Sequence, residues 1–154
     1  MPTKTKIKLK DNIELRTELD QIYENIEQVI LAKWALSLAK HILRMASIEY
    51  TSIEEITNGF QTNELWQEGK ARMFDVRQAG FKIHRLAKES DDPIKTAALR
   101  TAGQAIGTGH MREHAMVCSD YAIKTIELLS NGNIHQISEE REWQIEELKR
   151  IRTE

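Results

Sequence analysis

The sequence predicts an all-α fold, a single-domain bundle of five to six helices that includes one long or kinked helix near residues 93–130. Three observations lead to this. Apolar residues recur at spacings of three and four along almost the whole chain, the period of one helix face. β-branched alternation is brief, and the only prolines are Pro2 and Pro93. At 154 residues the chain has the length of one domain, 1–154, and can bury roughly two thirds of its unfolded surface without staples.

The elements follow in order. "KIKLK" at 6–10 alternates like a strand but has no pairing partner, so residues 1–10 read as an extended lead-in. Leu15, Leu19, Ile22, Ile26 and Val29 step by four, three, four and three, which starts a helix running to about Ser47 with a break near Asn25. A shorter helix fits 52–60, ending at "NGF". The next is expected from a Thr62 or Asn63 cap to about Glu89, where "SDDP" stops it. Asp92 is a good N-cap and Pro93 an ideal first helical residue, because its missing N–H would have had no partner. That helix continues to Ser130, kinked near 107–109, and "NGN" terminates it. A last helix spans 138–152 from a Ser138 cap, with Glu139 and Glu140 in its first turn and Lys149, Arg150 and Arg152 in its last, as the helix dipole favours.

Composition excludes several function classes. Hydrophobic residues are 40% and charged residues 30%, and no stretch approaches the roughly 18 uninterrupted apolar residues of a membrane span. The start "MPTKTKIKLK" is followed by charged residues rather than an apolar run, and the single Cys118 suits a reducing compartment, so a soluble cytoplasmic protein is expected. A net charge of −2 offers no field for nucleic acid. Charge is nonetheless segregated: residues 49–69 hold five acids and no base, and residues 70–88 hold six bases and one acid, Asp75.

At about 100° per residue, Trp34, Leu38, His41 and Met45 fall on one stripe. Trp66, Met73, Arg77, Phe81 and His84 share another, with Arg77 in its middle. Leu99, Gly107, His110, His114, Val117 and Tyr121 lie within about 40° of Gly103 if the helix is continuous. Gly103, Gly107 and Gly109 each cost roughly 1 kcal/mol relative to alanine inside a helix. A bulky side chain such as Trp34 or Trp66 pressed onto the bare backbone would offset that, and a break at 107–109 is the alternative.

"HMREH" at 110–114 reads as H-x-x-E-H, the inverted zinc-protease signature. Cys118 lies eight residues, about 12 Å along a helix, from His110, too far to share a metal with it. Only 40 residues follow His114, too few for the downstream carboxylate ligand of that family. A different metal reading gathers the inward His41, His84, His110 and His114, faintly like the DinB-like bundles in which three histidines bind a metal. Against it, a histidine on an apolar stripe is satisfied by ordinary hydrogen bonds, and Arg77 opposes a nearby cation. Arg77 itself reads either as a buried arginine paired with Asp120 or Glu113 and packed on Trp66 and Phe81, or as a ligand or partner anchor. Cys118 reads as an inert buried thiol.

"AGQAIGTGHMREHAM" at 102–116 resembles the signature block of the all-helical immunity proteins of bacterial polymorphic-toxin systems: A-G-Q-A, a threonine and two histidines, followed by a Y-A-x-K segment, here Tyr121 to Lys124. "LAKWALSLAKHIL" is similar to that family's W-A-x-x-x-A helix, and "WQEGKARMFDVRQAGFKIHRLAKE" to its W-x-x-G element with a following arginine and histidine. The resemblance covers roughly residues 26–130. It implies family-motif residues in the core or a groove at Trp34, Ala35, Ala39, Trp66, Gly69, Arg77, His84, Gly103, Gln104, Thr108, His110, His114 and Tyr121. It further implies a non-enzymatic protein, without cofactor, that neutralises a cognate toxin by binding. Many toxins acting on nucleic acid are basic, so the base-free stretch with Glu54, Glu55 and Glu64 reads either as a solvated helix face or as the toxin contact. A DinB-like enzyme and a helical interaction domain without a toxin are the alternative readings.

Overall fold

The computed structural model describes residues 2–154 and contains no strand among them. Seven α-helices follow one another: α1 (Ile13–Tyr23), α2 (Gln28–Met45), α3 (Glu54–Gln67), α4 (Met73–Glu89), α5 (Pro93–Gly107), α6 (His114–Leu129) and α7 (Ile134–Arg152), with one 3₁₀ turn at Tyr50–Ser52 before α3. This exceeds the expected five to six because the long 93–130 helix is divided in two, while the 63–89 helix is cut but gives its first turn to the preceding helix. The expected 63–89 helix is cut at 68–72, where Gly69 adopts φ +75 and ends α3, a conformation open to glycine at no steric cost. The long 93–130 helix stops outright at Gly107, and α6 restarts at His114. α3 therefore runs through Gly59 rather than ending there, and Asn63 is an interior residue, not a cap.

Local chemistry explains the boundaries that were foreseen. The first two helices are separated by Glu24 to Glu27, around the expected break at Asn25. Asp92 caps α5, its carboxylate accepting from the Ile94 N–H at 3.0 Å, with Pro93 first in the helix. After α6, Asn131 and Gly132 take positive φ, so "NGN" is the expected stop. α7 starts earlier than expected, because Asn133 caps it by accepting from the Gln136 N–H at 3.1 Å. Ser138 lies inside the helix and accepts from Asn12 instead.

α5 is central, packed on α4, α6 and α2, with α3 against α4, and α7 against α1, α2 and α6. Its small residues Ala98, Ala102, Ala105 and Gly103 permit that closeness, and all are buried. α2 buries Leu31, Trp34, Ala35, Leu38, Ala39 and Ile42 completely. Trp34 satisfies its indole N–H on the Gln144 carbonyl of α7 at 3.0 Å. His41 and Met45 slip off that stripe: His41 is half-buried and Met45 exposed. Residues 2–12 contain no helix, and the lead-in is tied down. Thr3 donates twice to Asp20, and the Lys10 N–H donates to Glu127 at 2.6 Å.

Candidate functional site

The signature glycines gather where α4, α5 and α6 meet, and their bare backbones are covered in different ways. A Cβ on Gly103 would lie 2.6 Å from Cε1 of His84, so the imidazole rests directly on α5. A Cβ on Gly80 of α4 would meet the Gly103 carbonyl at 3.3 Å, so the two helices also touch backbone to backbone. Gly109 is pressed by Val76 and Trp66, at 2.8 and 3.1 Å from a Cβ, whereas Gly107 faces the ring of His114 at 3.3 Å. The close approach and the break thus occur together. Trp66 supplies one of the covering groups, as expected, and Trp34 does not.

Gln104, one residue past Gly103, bridges two of the histidines. Its side-chain oxygen accepts from His114 Nδ1 at 2.6 Å, and its amide nitrogen donates towards His84 Nε2 at 3.5 Å. With the amide so oriented, His114 carries its proton on Nδ1 and His84 accepts on Nε2, leaving buried His84 Nδ1 without a partner. The ring of His110 stacks beside His114, centroids 5.9 Å apart. Burial, then the charge of Arg100 and the neighbouring His114, holds His84 down at about 4. Burial also lowers His114, reinforced by His110 and Lys6 and opposed by Glu113. Both imidazoles are therefore neutral near pH 7, which suits a fixed hydrogen-bonded relay with a half-exposed rim.

The zinc-like spacing loses its meaning at the helix break. His110 sits in the turn between helices and His114 is the first residue of α6, so they are not successive positions on one helix face. The four histidines do not gather either, because His41 is held by α7, stacked on Trp143 at 3.9 Å and paired with Glu140 at 2.9 Å. No group of three or more His, Cys, Asp or Glu among the described residues is placed to hold one metal ion. Cys118 is fully buried, its thiol facing the Ala35 carbonyl and its pKa raised by burial and by Asp120.

The other motif residues separate into inner and outer positions. Trp34 and Thr108 are buried, and the Thr108 carbonyl accepts from Gln28 at 2.7 Å. Trp66 and Tyr121 are half-buried. Arg77 is exposed: it pairs with neither Asp120 nor Glu113, and its guanidinium lies over Phe81 at 5.2 Å. The stripe that placed it inward assumed a continuous helix from Trp66 to His84, which the turn at 68–72 divides. Glu54, Glu55 and Glu64 are exposed on α3, free of ion pairs among the described residues.

A buried charge network escaped the sequence reading. Arg141 of α7, fully buried, donates to Asp120 at 2.7 Å, to both Asp11 oxygens at 2.9 and 2.7 Å, to Gln144 at 2.9 Å and to Ser119 at 3.2 Å. Arg16 holds the same Asp120 through two bonds of 3.1 Å. One signal was available: Arg141 follows Ile137 by four and precedes Ile145 and Leu148 by four and seven, on the buried face of α7. Its hydrogen bonds fasten the lead-in, through Asp11, to α6 and α7.

Residues 21–151 match a family model described as "Imm-5 like putative immunity protein". That span takes in the histidine relay and helices α2 to α6, with only the last turn of α1 and all but the last residue of α7. No curated protein and no solved structure matches the chain.

Proposed function

The chain belongs to the Imm-5 like putative immunity protein family, and from that membership we propose that it neutralises a cognate bacterial toxin in the cytoplasm by binding it, with no chemical step of its own. The family match over residues 21–151 carries the reading. The histidine network fits a binding frame: the Gln104 amide ties His114 to His84 and so holds three helices in fixed register. The motif residues serve as a frame: Gly103, Gln104, His84, His110 and His114 lock α4, α5 and α6 together, so the outer faces are presented rigidly to a partner.

The toxin contact is the set of exposed carboxylates of α3, Glu54 and Glu55 on its side towards α4 and Glu64 on its side towards α2, all free of ion pairs within the described residues. Such charges speed encounter with a basic partner more than they add affinity. Co-expression with a toxin gene found adjacent to this one, if one exists, tests the proposal: the chain restores growth and co-purifies with the toxin. Reversing the three glutamates to lysine slows association at low salt more than at high salt. A wild-type chain that neither protects cells nor binds the toxin refutes the role; protection with an unchanged association rate in the reversed variant refutes only the surface.

A further inference from the structure

α3 and α4 lie side by side, joined by residues 68–72, and between them opens a groove of about 460 Å³. Its two walls differ. The α3 wall carries Glu54 and Glu55, and the α4 wall carries Phe74, Lys82 and Asp75, the last already neutralised by its ion pair with Arg72 at 3.0 Å, over a floor of the small residues Gly59 and Ala79. No ion pair links the walls, and Arg77, Lys82, Arg85 and Lys88 of α4 have no carboxylate partner among the described residues. The outer face of α4 also exposes large apolar side chains. Met73, Phe74 and Phe81 are 53%, 54% and 46% exposed, and Arg72 and Arg77 lie over the two phenylalanine rings. The chain has three phenylalanines and exposes two of them here. Exposed aromatic and methionine side chains with arginines over the rings are enriched in protein interfaces.

We propose that the occupant of this face is a second copy of the same chain. The argument is self-complementarity of charge. A two-fold axis running along the groove places α3 of each copy over α4 of the other, so each acidic wall meets the unpaired bases opposite and both pairs of exposed phenylalanines leave water. Closed two-fold pairing through one self-complementary patch is the commonest form of soluble oligomer. Apposing α4 to α4 instead would set Arg77, Arg85 and Lys88 against their own kind, which the charge layout disfavours. The inference stands independently of any toxin. It has one consequence for the proposed function: Glu54 and Glu55 are engaged in the dimer, so a toxin that docks on them displaces the second copy.

Sedimentation of the purified full chain tests this. The wild type runs at twice the 17.8 kDa chain mass at high micromolar concentration and shifts towards one chain as salt rises. The Glu54→Lys, Glu55→Lys variant and the Lys82→Glu, Arg85→Glu variant each run as single chains, because each carries like charge on both walls. Mixed, they recover the two-chain mass, since each wall again meets its opposite; recovery also shows that both variants fold. A Phe74→Ala, Phe81→Ala variant runs as a single chain with unchanged circular dichroism. A wild type that stays single in low salt overturns the proposal and leaves the face to a different partner. So does a mixture that fails to pair, or a phenylalanine variant that still dimerises.

Discussion

Gln104 joins His84 of α4 to His114 of α6: one amide accepts from His114 Nδ1 at 2.6 Å and reaches His84 Nε2 at 3.5 Å, across the break that ends α5. Three helices are thus cross-linked at a place where the chain itself is interrupted. Stability should therefore respond to the protonation of these two rings.

In the folded protein His84 titrates at about 4, against an ordinary 6.5, and His114 is displaced in the same direction. A depressed histidine pKa means that the unfolded chain binds protons the folded chain refuses. The contribution of His84 is complete above pH 6.5 and drains away as pH falls towards 4. The expected loss over that window is about 2 kcal/mol once solvent screening is allowed for. Urea unfolding at a series of pH values measures it, and a His84→Asn variant should show a shallower dependence. An equal slope in the variant would assign the acid sensitivity to other groups.

Substitution of Gly103 separates packing from backbone strain. Gly103→Ala forces a methyl against the His84 ring and should cost about 1–3 kcal/mol through overpacking. Gly69→Ala meets nothing within 4 Å, so its cost, on the order of 1 kcal/mol, arises from the positive φ alone. Combining each with His84→Ala distinguishes them. The Gly103 penalty should shrink in the double variant and the Gly69 penalty should not.

Arg141 is fully buried and bonded to two carboxylates, so Arg141→Met leaves Asp11 and Asp120 without their shared cation. The expected loss is about 3–5 kcal/mol. Lysine should rescue little, because one ammonium cannot reproduce the planar fork that reaches Asp11, Asp120, Ser119 and Gln144 together. Asp11→Asn should be milder and should raise hydrogen exchange in the lead-in before the helices, most of all next to residue 11, since Asp11 is one of the tethers of that segment beside Thr3 and Lys10. Uniform exchange along the chain would contradict this.

Features set by neighbouring residues were legible in the sequence. Asp92-Pro93 starts α5 and "NGN" ends α6 because caps and positive φ depend only on adjacent chemistry. Trp34 on the stripe of Leu38 was readable as core for the same reason. The turn at Gly69 was missed because apolar residues resume on the far side at Met73 and Phe74 with helical spacing, although both are exposed. That one error carried Arg77 inward. The bond from Arg141 to Asp11 spans 130 residues of sequence, and the contact of His84 with Gln104 spans 20 across a helix turn. Such meetings are fixed by packing, which periodicity does not encode. The family resemblance at 102–116 nevertheless points in the sequence to Gly103, Gln104, His110 and His114, which the structure places around the end of α5.

Whether the chain acts by occupancy or by chemistry is tested by titrating it into a fixed amount of a toxin from which it protects cells and following that toxin's activity. Neutralisation by binding predicts that activity falls in proportion to added chain, reaches its floor at a fixed stoichiometric ratio, and returns when the complex is separated. Complete inactivation by a small substoichiometric amount, progressing with time and persisting after the chain is removed, would contradict it and make the protein an enzyme.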